Sequence, residues 1–202
     1  MSMVSRDSSG SGTAEVAANA DAAPGRPDSK SLLYSIDDID LNATIYDEQG
    51  VERVLPHRGD MRQIDRIVWH NDDHTRGIAA RHIKPDEFWV PGHFPGKPMF
   101  PGVLQVEAGA QLACFMFLIR QPDPYLVAFL RIENAAFRSM VVPGDELFLI
   151  GKEAKFGRRR FSAYVQGLVK DRIAFEATVS GMCMEPGPEQ AGLTRPTPGQ
   201  PS

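Results

Sequence analysis

The sequence has little of what would mark a secreted, membrane-spanning or nucleic-acid-binding protein. Only 2 of its 202 residues are cysteine, too few for the disulfide framework of a small secreted domain. Its longest apolar run, residues 112–119, is far shorter than a bilayer requires, and no apolar stretch follows the N-terminal charges as in a secretory signal. Lysine and arginine (22) do not outnumber aspartate and glutamate (26), so the cationic excess typical of nucleic-acid binding is missing. We therefore expect a cytoplasmic protein with no membrane span and no nucleic-acid partner.

Glycine (18) and proline (16) are plentiful, and part of them falls in the two ends of the chain. Residues 1–30 are rich in Ser, Gly, Ala and Asp and contain no aromatic residue, and residues 185–202 mix Pro and Gly with polar side chains. Neither segment can bury enough apolar surface to offset the entropy of ordering. We expect a disordered N-terminal arm, one domain over residues 31–184 and a disordered C-terminal tail.

Six stretches of β-forming residues bounded by turn signals predict six strands. Short polar or Gly/Pro turns join most of them, which favours a mostly antiparallel sheet. One stretch between the second and third strands is apolar on all sides and has Glu107 as its only charge, which predicts a buried helix over residues 103–119. The fold class is therefore α+β, with a sheet that curls around one long helix. The predicted strands are residues 61–70, 75–83, 125–137, 146–156, 161–170 and 173–182.

The segment just before the predicted helix is built from proline and glycine. Residues 91–102 contain four prolines and three glycines, which fix a path that is neither helix nor strand. His93 lies in this loop, and Pro101 falls where the first turn of a helix tolerates proline. The N–H groups of Gly102 and Val103 would then point outward from the positive end of the helix, towards a carbonyl oxygen that acquires negative charge.

His93 and Glu107 each allow a structural and a chemical interpretation. A carboxylate inside an apolar helix is costly unless it is paired, and Gln111, one turn later on the same face, is a suitable partner. A histidine in a tight loop can simply bond to a backbone carbonyl. Together with a helix N-terminus, however, the two residues supply a base, an acid and an oxyanion donor, which favours catalysis.

These residues lie in a longer pattern that is specific to one family. The segment GHFPGKPMFPGVLQVEAGAQ, residues 92–111, closely resembles the signature of the bacterial 3-hydroxyacyl-acyl-carrier-protein dehydratases. Three further segments resemble that family's motifs in the same order, so the resemblance covers residues 55–184. They are Leu55-Pro56-His57-Arg58, Ile64-Asp65-Arg66 and Val141-Val142-Pro143-Gly144-Asp145.

The resemblance implies a hot-dog fold and a dimer, or a trimer of dimers, whose sites lie at the subunit interface. Each site would take His93 from one subunit, as the base that removes the proton next to the thioester, and Glu107 from the other, as the acid for the departing hydroxyl. The Gly102 N–H would polarise the thioester carbonyl, and Gln111 would hold Glu107. The substrate would be carried by an acyl carrier protein, with no cofactor and no metal. In having Glu rather than Asp at position 107, the sequence resembles the branch of the family that does not isomerise the double bond.

The sequence departs from the family pattern at several positions. Arg62 and Gln63 stand where apolar residues are usual, and Ser139 and Met140 where Arg-Pro is usual. The aromatic residue that gates the tunnel in some members falls near Ala128. Arg62 and Gln63 leave a specialised acyl or polyketide-like pathway open as an alternative, and a non-catalytic acyl-binding subunit is the alternative from another class.

A second group of residues has weaker signals. A cluster of cations at a predicted hairpin turn is either a solvated turn or a docking patch for the acidic carrier protein. Two residues of the first motif, His57 and Arg58, are expected to be structural, and the remaining histidines show no metal-ligand spacing. Both cysteines lie in apolar stretches and are expected to be buried thiols. The cluster consists of Lys155, Arg158, Arg159 and Arg160.

Overall fold

The computed structural model describes residues 31–122 and 125–184. The predicted arm (1–30) and tail (185–202) lie outside the described residues. The described chain contains two α-helices, one short 3-10 helix and six strands in a single sheet. The helices are α1 (Glu48–Val54) and α2 (Gly102–Leu118), with the 3-10 helix at Gly59–Met61. The strands are β1 (Arg66–His70), β2 (Arg76–His82), β3 (Val127–Phe137), β4 (Glu146–Phe156), β5 (Arg160–Val169) and β6 (Arg172–Cys183).

The sheet has the strand order β1-β2-β4-β5-β6-β3, and every neighbouring pair is antiparallel. Each strand overlaps one of the six predicted stretches, so the predicted α+β class is confirmed. The first strand begins later than predicted, because Met61 ends the 3-10 helix and β1 starts only at Arg66. β3 lies at one edge of the sheet, far from its sequence neighbour β2.

The central helix α2 fills the concave side of the sheet. It packs against β2, β3, β4, β5 and β6, so the sheet curves around it. Twelve of its 17 residues are buried, as expected for a helix that is apolar on all sides. Gly109 permits a close approach to β5, because a Cβ there would lie 3.0 Å from a Val165 methyl carbon. The predicted helix is confirmed within one residue at each end.

A segment ahead of α1 covers the opposite face of the sheet. Neighbouring residues of β4 point to opposite faces: Leu149 belongs to the core around α2, whereas Ile150 packs against Leu33 of this segment. The buried Gln166 side chain bonds to the backbone of residues 31 and 33, at 3.1 and 3.0 Å. The hydroxyl of Tyr34 donates to the carbonyl oxygen of Gly77 at 2.8 Å. The chain itself thus covers both faces of the sheet around β2, β4 and β5.

The helix α1 was not predicted from the sequence. The Asp47 side chain caps it by accepting from the Gly50 N–H at 2.8 Å, and the helix ends just before Pro56. An N-cap aspartate, apolar residues at helical spacing (Val51, Val54) and a proline beyond the end form a recognisable helix signal. The signal is present in the sequence, but the helix has only seven residues. So short a segment gives no clear helical periodicity.

Candidate active site

The loop that holds His93 is closed by its own backbone. The His93 N–H donates to the Trp89 carbonyl at 2.9 Å, and the Met99 N–H donates to the His93 carbonyl at 2.8 Å. Between them, Phe94 and Lys97 exchange backbone hydrogen bonds at 2.9 and 3.3 Å. These bonds use backbone groups that proline and glycine leave outside any helix or strand. The imidazole of His93 therefore extends from a loop whose backbone is held by its own hydrogen bonds.

A buried ion pair fixes the start of this loop. The Arg81 guanidinium of β2 contacts the Glu87 carboxylate, and both side chains are largely buried. Glu87 also accepts from the Trp89 indole N–H at 2.8 Å, and the Arg81 guanidinium lies 5.0 Å from the centre of the Phe100 ring. A buried pair of this kind requires such additional hydrogen bonds to offset desolvation. Sequence reasoning missed this network, because nothing in the spacing of its members marks them as partners.

The contact of His93 with Met99 determines which ring nitrogen carries the proton. His93 Nδ1 lies 2.7 Å from the Met99 carbonyl oxygen. A carbonyl oxygen can only accept, so Nδ1 must be the donor. In the neutral ring Nε2 is then left with a free lone pair, the state that a general base requires.

The start of α2 lies in the same groove as His93. Pro101 is the N-cap residue, one position earlier than predicted, and its carbonyl accepts from Leu104 and Gln105 at 3.0 and 3.1 Å. The N–H groups of Gly102 and Val103 have no hydrogen-bond partner among the described residues. The open groove of about 560 Å³ brings these groups together with His93. Its further lining includes Phe137, Ser139 and Met140.

Glu107 points into a different pocket, where Gln111 fixes it. The Gln111 amide nitrogen donates to Glu107 Oε1 at 2.8 Å and to the Met61 carbonyl at 2.7 Å, and its oxygen accepts from the Gln63 N–H at 2.8 Å. Three bonds of defined direction leave the amide only one orientation. The backbone of Met61 and Gln63 is thus part of the site, which the sequence did not indicate because backbone groups carry no residue signature.

His57 lies beside Glu107 in this pocket. Its Nε2 is 3.6 Å from Glu107 Oε1. Burial lowers the pKa of His57 from its ordinary value, and Arg58 lowers it further, while the Glu107 carboxylate acts in the opposite direction. The remaining pocket wall is mostly apolar, and burial strongly raises the pKa of its Cys114 thiol. That wall consists of Ala110, Cys114, Val127, Phe129, Phe161, Val179 and Gly181, with Ser180 at its polar side.

One chain does not unite the predicted base and acid. The groove of His93 and the pocket of Glu107 have no lining residue in common. Gly102 and Val103 lie with His93, and Gln111 lies with Glu107. One chain therefore holds the predicted base and the predicted acid in two separate cavities, which we call half-sites.

The departures from the family pattern fall in different places. Arg62 forms an ion pair with Glu48 of α1 at 2.6 Å, and the Gln63 side chain is buried and donates to the Asp60 carbonyl at 2.6 Å. Neither side chain lines the groove or the pocket. Ala128 does not line the pocket either, although its neighbour Phe129 does. Only Ser139 and Met140 face a half-site.

The predicted cation cluster lies at the turn between β4 and β5, with Lys155 at the end of β4 and Arg160 at the start of β5. All four side chains are exposed, and two of them line a shallow groove that adjoins the Glu107 pocket through Phe161, Ser180 and Gly181. The cluster thus lies near the entrance of a half-site. Its members are Lys155, Arg158, Arg159 and Arg160.

The described residues have neither a cluster of metal ligands nor a membrane-spanning helix. Residues 31–122 and 125–184 contain no group of three or more His, Cys, Asp or Glu side chains placed to hold a metal ion. No helix in those ranges is long and apolar enough to cross a membrane.

A curved antiparallel sheet around a buried helix, with a histidine in the loop before the helix and a carboxyl within it, defines a hot-dog protein with groups for acid–base chemistry. Residues 55–178 match the FabA-like domain, and the chain belongs to the FabA-like family.

The most informative relatives carry dehydratase names. The 3-hydroxyacyl-(acyl-carrier-protein) dehydratase FabZ of Koribacter versatilis is 36% identical over 138 residues, covering 67% of this chain and 88% of that protein. The bifunctional enzyme LpxC/FabZ of Porphyromonas gingivalis is 38% identical over 138 residues, covering 66% of this chain but 29% of that longer protein. The solved dehydratase heterocomplex ApeI:P from Xenorhabdus doucetiae superposes with a TM-score of 0.58 at 14% identity, covering 70% of this chain and 93% of that chain. This last likeness shows the fold, and the predicted hot-dog fold is confirmed.

Proposed function

We propose that the protein dehydrates (3R)-3-hydroxyacyl-acyl-carrier-protein to the trans-2-enoyl form in fatty acid biosynthesis. The observation that carries the proposal is the fixed tautomer of His93. His93 lines the same groove as Gly102 and Val103, whose N–H groups have no partner among the described residues. Family membership and the names of the relatives support the same reaction.

Each group has one task in the reaction. His93 Nε2 takes the proton from the carbon next to the thioester, and the Gly102 and Val103 N–H groups stabilise the negative charge on the thioester oxygen. Glu107 gives its proton to the 3-hydroxyl, which leaves as water. Gln111 holds Oε1 of Glu107, which leaves Oε2 to carry and deliver the proton. No step uses a cofactor or a metal ion.

A second copy of the chain completes the site. β3 is an edge strand that is exposed along most of its length and carries the exposed apolar residues Phe129, Leu130, Ile132 and Phe137. A long apolar edge attracts another strand, and Val103, 76% exposed, extends the apolar surface beside it. Pairing of two β3 strands would cover this surface and continue the sheet across a homodimer.

The direction of β3 explains why such pairing unites the half-sites. Val127 and Phe129 at one end of β3 line the Glu107 pocket, whereas Phe137 at the other end lines the His93 groove. Antiparallel pairing about a two-fold axis places the first end of one strand beside the last end of the other. Glu107 of one copy then meets His93 of its partner.

The cations of the β4–β5 turn receive the carrier protein. They form a positive surface next to the Glu107 pocket, and an acidic partner would be steered to it. Both cysteines are free and buried, which suits the reducing cytoplasm where we place the reaction.

The test is incubation of the purified protein with 3-hydroxyacyl carrier protein of graded chain length. We expect the product to lose the mass of one water, as the trans-2-enoyl form, with alkyl chains preferred over aryl groups. Preference for aryl or otherwise modified acyl groups would indicate the specialised pathway that Ser139 and Met140 leave open. Acyl binding without turnover would indicate a non-catalytic subunit and overturn the proposal.

A further inference from the structure

In the first motif of the chain, Leu55–Arg58, several hydrogen bonds fix the backbone that carries His57. The Arg58 guanidinium donates to the carbonyls of Leu55 and His57, at 2.7 and 2.8 Å, and to that of Glu52 at 2.8 Å. Leu55 is fully buried. The backbone that carries His57 is therefore held from three directions, although the proposed reaction assigns His57 no task.

His57 faces the oxygen of Glu107 that Gln111 already holds. Its Nε2 lies 3.6 Å from Oε1, and Gln111 donates to the same atom at 2.8 Å. The opposite ring nitrogen, Nδ1, is buried and has no hydrogen-bond partner among the described residues, so Nε2 is the nitrogen that has an acceptor in reach. A contact of 3.6 Å is longer than a hydrogen bond, but such contacts tighten when substrate binds.

The contact between His57 and Glu107 lies in an environment that strengthens electrostatic interactions. Around Glu107 the pocket wall is mostly apolar, and a hydrogen bond to a charge is stronger in such an environment than in water. The charged groups near His57 are Glu107 of α2 and its neighbour Arg58, which in turn contacts Glu52 of α1. A neutral imidazole still offers one N–H, so the contact requires no charge on the ring.

We propose that His57 is a positioning residue that acts through Glu107, by donating its Nε2–H to the carboxylate formed when Glu107 gives up its proton. This inference rests on the proposed function. In the step itself the C–H electron pair becomes the new C=C bond and its proton goes to His93. The C–O pair leaves with the hydroxyl, which takes the Glu107 proton to become water. His57 keeps its proton and stabilises the negative charge that stays on Glu107.

A double-mutant cycle with activity as the readout tests the inference. We compare His57→Ala and His57→Gln in the wild-type chain and in Glu107→Gln. The matched control is His82→Gln, which alters a histidine 3.4 Å from the Glu146 carboxylate, outside both half-sites. We expect His57→Ala to lower kcat by about 10- to 100-fold with KM within about threefold, the size of one acid–base contribution. His57→Gln, which retains an N–H donor, restores most of the loss, and His82→Gln leaves kcat unchanged.

In the Glu107→Gln chain, which has no carboxylate to stabilise, we expect His57→Ala to cost less than about threefold. An equal loss in both backgrounds, or an unchanged kcat in His57→Ala, overturns the inference. If His57→Ala fails to fold, His57→Met replaces it, and wild-type kcat in that variant has the same meaning.

A readout that needs no substrate separates this inference from the proposed function. Because the Glu107 carboxylate favours the charged ring of His57, Glu107→Gln is expected to lower the pH at which the ring nitrogens titrate by NMR. The ring should also show Nε2 as the protonated nitrogen in its neutral form. An unchanged titration, or a proton on Nδ1, overturns the role of His57 even if dehydration is observed. Absence of dehydration with the expected titration overturns the proposed function and leaves the His57–Glu107 coupling standing.

Discussion

Gly102 lies so close to Phe137 that a Cβ on Gly102 would stand 2.8 Å from two carbons of the ring. Phe137 is 54% exposed in one chain and lines the groove that holds His93. The N-terminus of α2 and the end of β3 are therefore in close contact beside the N–H groups where the thioester oxygen is proposed to bind. Only glycine allows this approach.

We expect Gly102→Ala to reduce kcat/KM by about tenfold or more, since misplacing an oxyanion donor has large kinetic effects. The added methyl group must displace the Phe137 ring into the groove or move the first turn of α2. The melting temperature should change little, because the atoms that the methyl group meets are at the far end of a single side chain. Steady-state kinetics and thermal unfolding measure the two effects, and wild-type kcat/KM would contradict the expected role of the groove.

The shared site predicts an unusual result on mixing inactive variants. His93→Ala and Glu107→Gln should each lose about 10²- to 10⁴-fold in kcat, as expected for loss of a general base or acid. After the two are unfolded together and refolded, about half of the dimers combine one chain of each kind. Each such dimer has one site with both defects and one intact site, so about a quarter of wild-type activity should return. Activity that stays at the level of the separate variants would place the base and acid within one chain.

Gln111 should be important for stability as well as for activity. Gln111→Leu removes both acceptor and donor from Gln63, Met61 and Glu107, and leaves buried backbone groups unpaired. We expect a loss of about 2–4 kcal/mol in the free energy of unfolding, measured by urea denaturation, together with a lower kcat. The control is Gln121→Leu, since the Gln121 side chain is largely buried but forms no hydrogen bond with described residues. Equal effects of the two substitutions would mean that the network contributes little.

The sequence predicted the strands, the central helix and the location of His93 and Glu107 because each follows from local patterning. Alternating apolar and polar residues and turn residues predict the strands, and a stretch without a polar face predicts the helix. The proline and glycine content of residues 91–102 singles out the loop that contains His93. The sequence also predicted Gln111 as the partner of Glu107, but the backbone groups that position His93 and Gln111 were beyond such reasoning. The Met99 carbonyl that fixes the tautomer of His93 and the Gln63 N–H that orients Gln111 are backbone atoms, and any residue type would supply them. The Arg81–Glu87 pair forms only once β2 and the loop are folded.

Two partly buried histidines should make the protein less stable in mild acid. Burial is the main cause that lowers the pKa of both His57 and His74 below the ordinary value of 6.5. As the pH falls through 6.5, the unfolded chain therefore takes up protons before the folded one, and the free energy of unfolding decreases. The loss begins near neutral pH and is complete below the folded-state pKa values. Thermal unfolding from pH 8 to pH 5 measures it, and the slope should flatten in a His57→Gln/His74→Gln double variant. An unchanged slope would assign the pH dependence to other groups.

The β4–β5 turn predicts a difference between two forms of the same substrate. Arg158 and Arg159 are exposed in this turn and line neither the groove nor the pocket, so they can act on the carrier protein and not on the acyl group. Arg158→Glu/Arg159→Glu should raise KM for the carrier-bound substrate by about tenfold, chiefly through slower association. The kinetics with a short pantetheine thioester, which has no carrier protein, should stay at the wild-type level. The difference should also shrink as salt is raised to about 0.5 M, because exposed charges are screened. A KM that rises equally for both substrates would show that the turn acts on the acyl site. An unchanged KM for both would mean that the cations belong to a solvated turn with no part in docking.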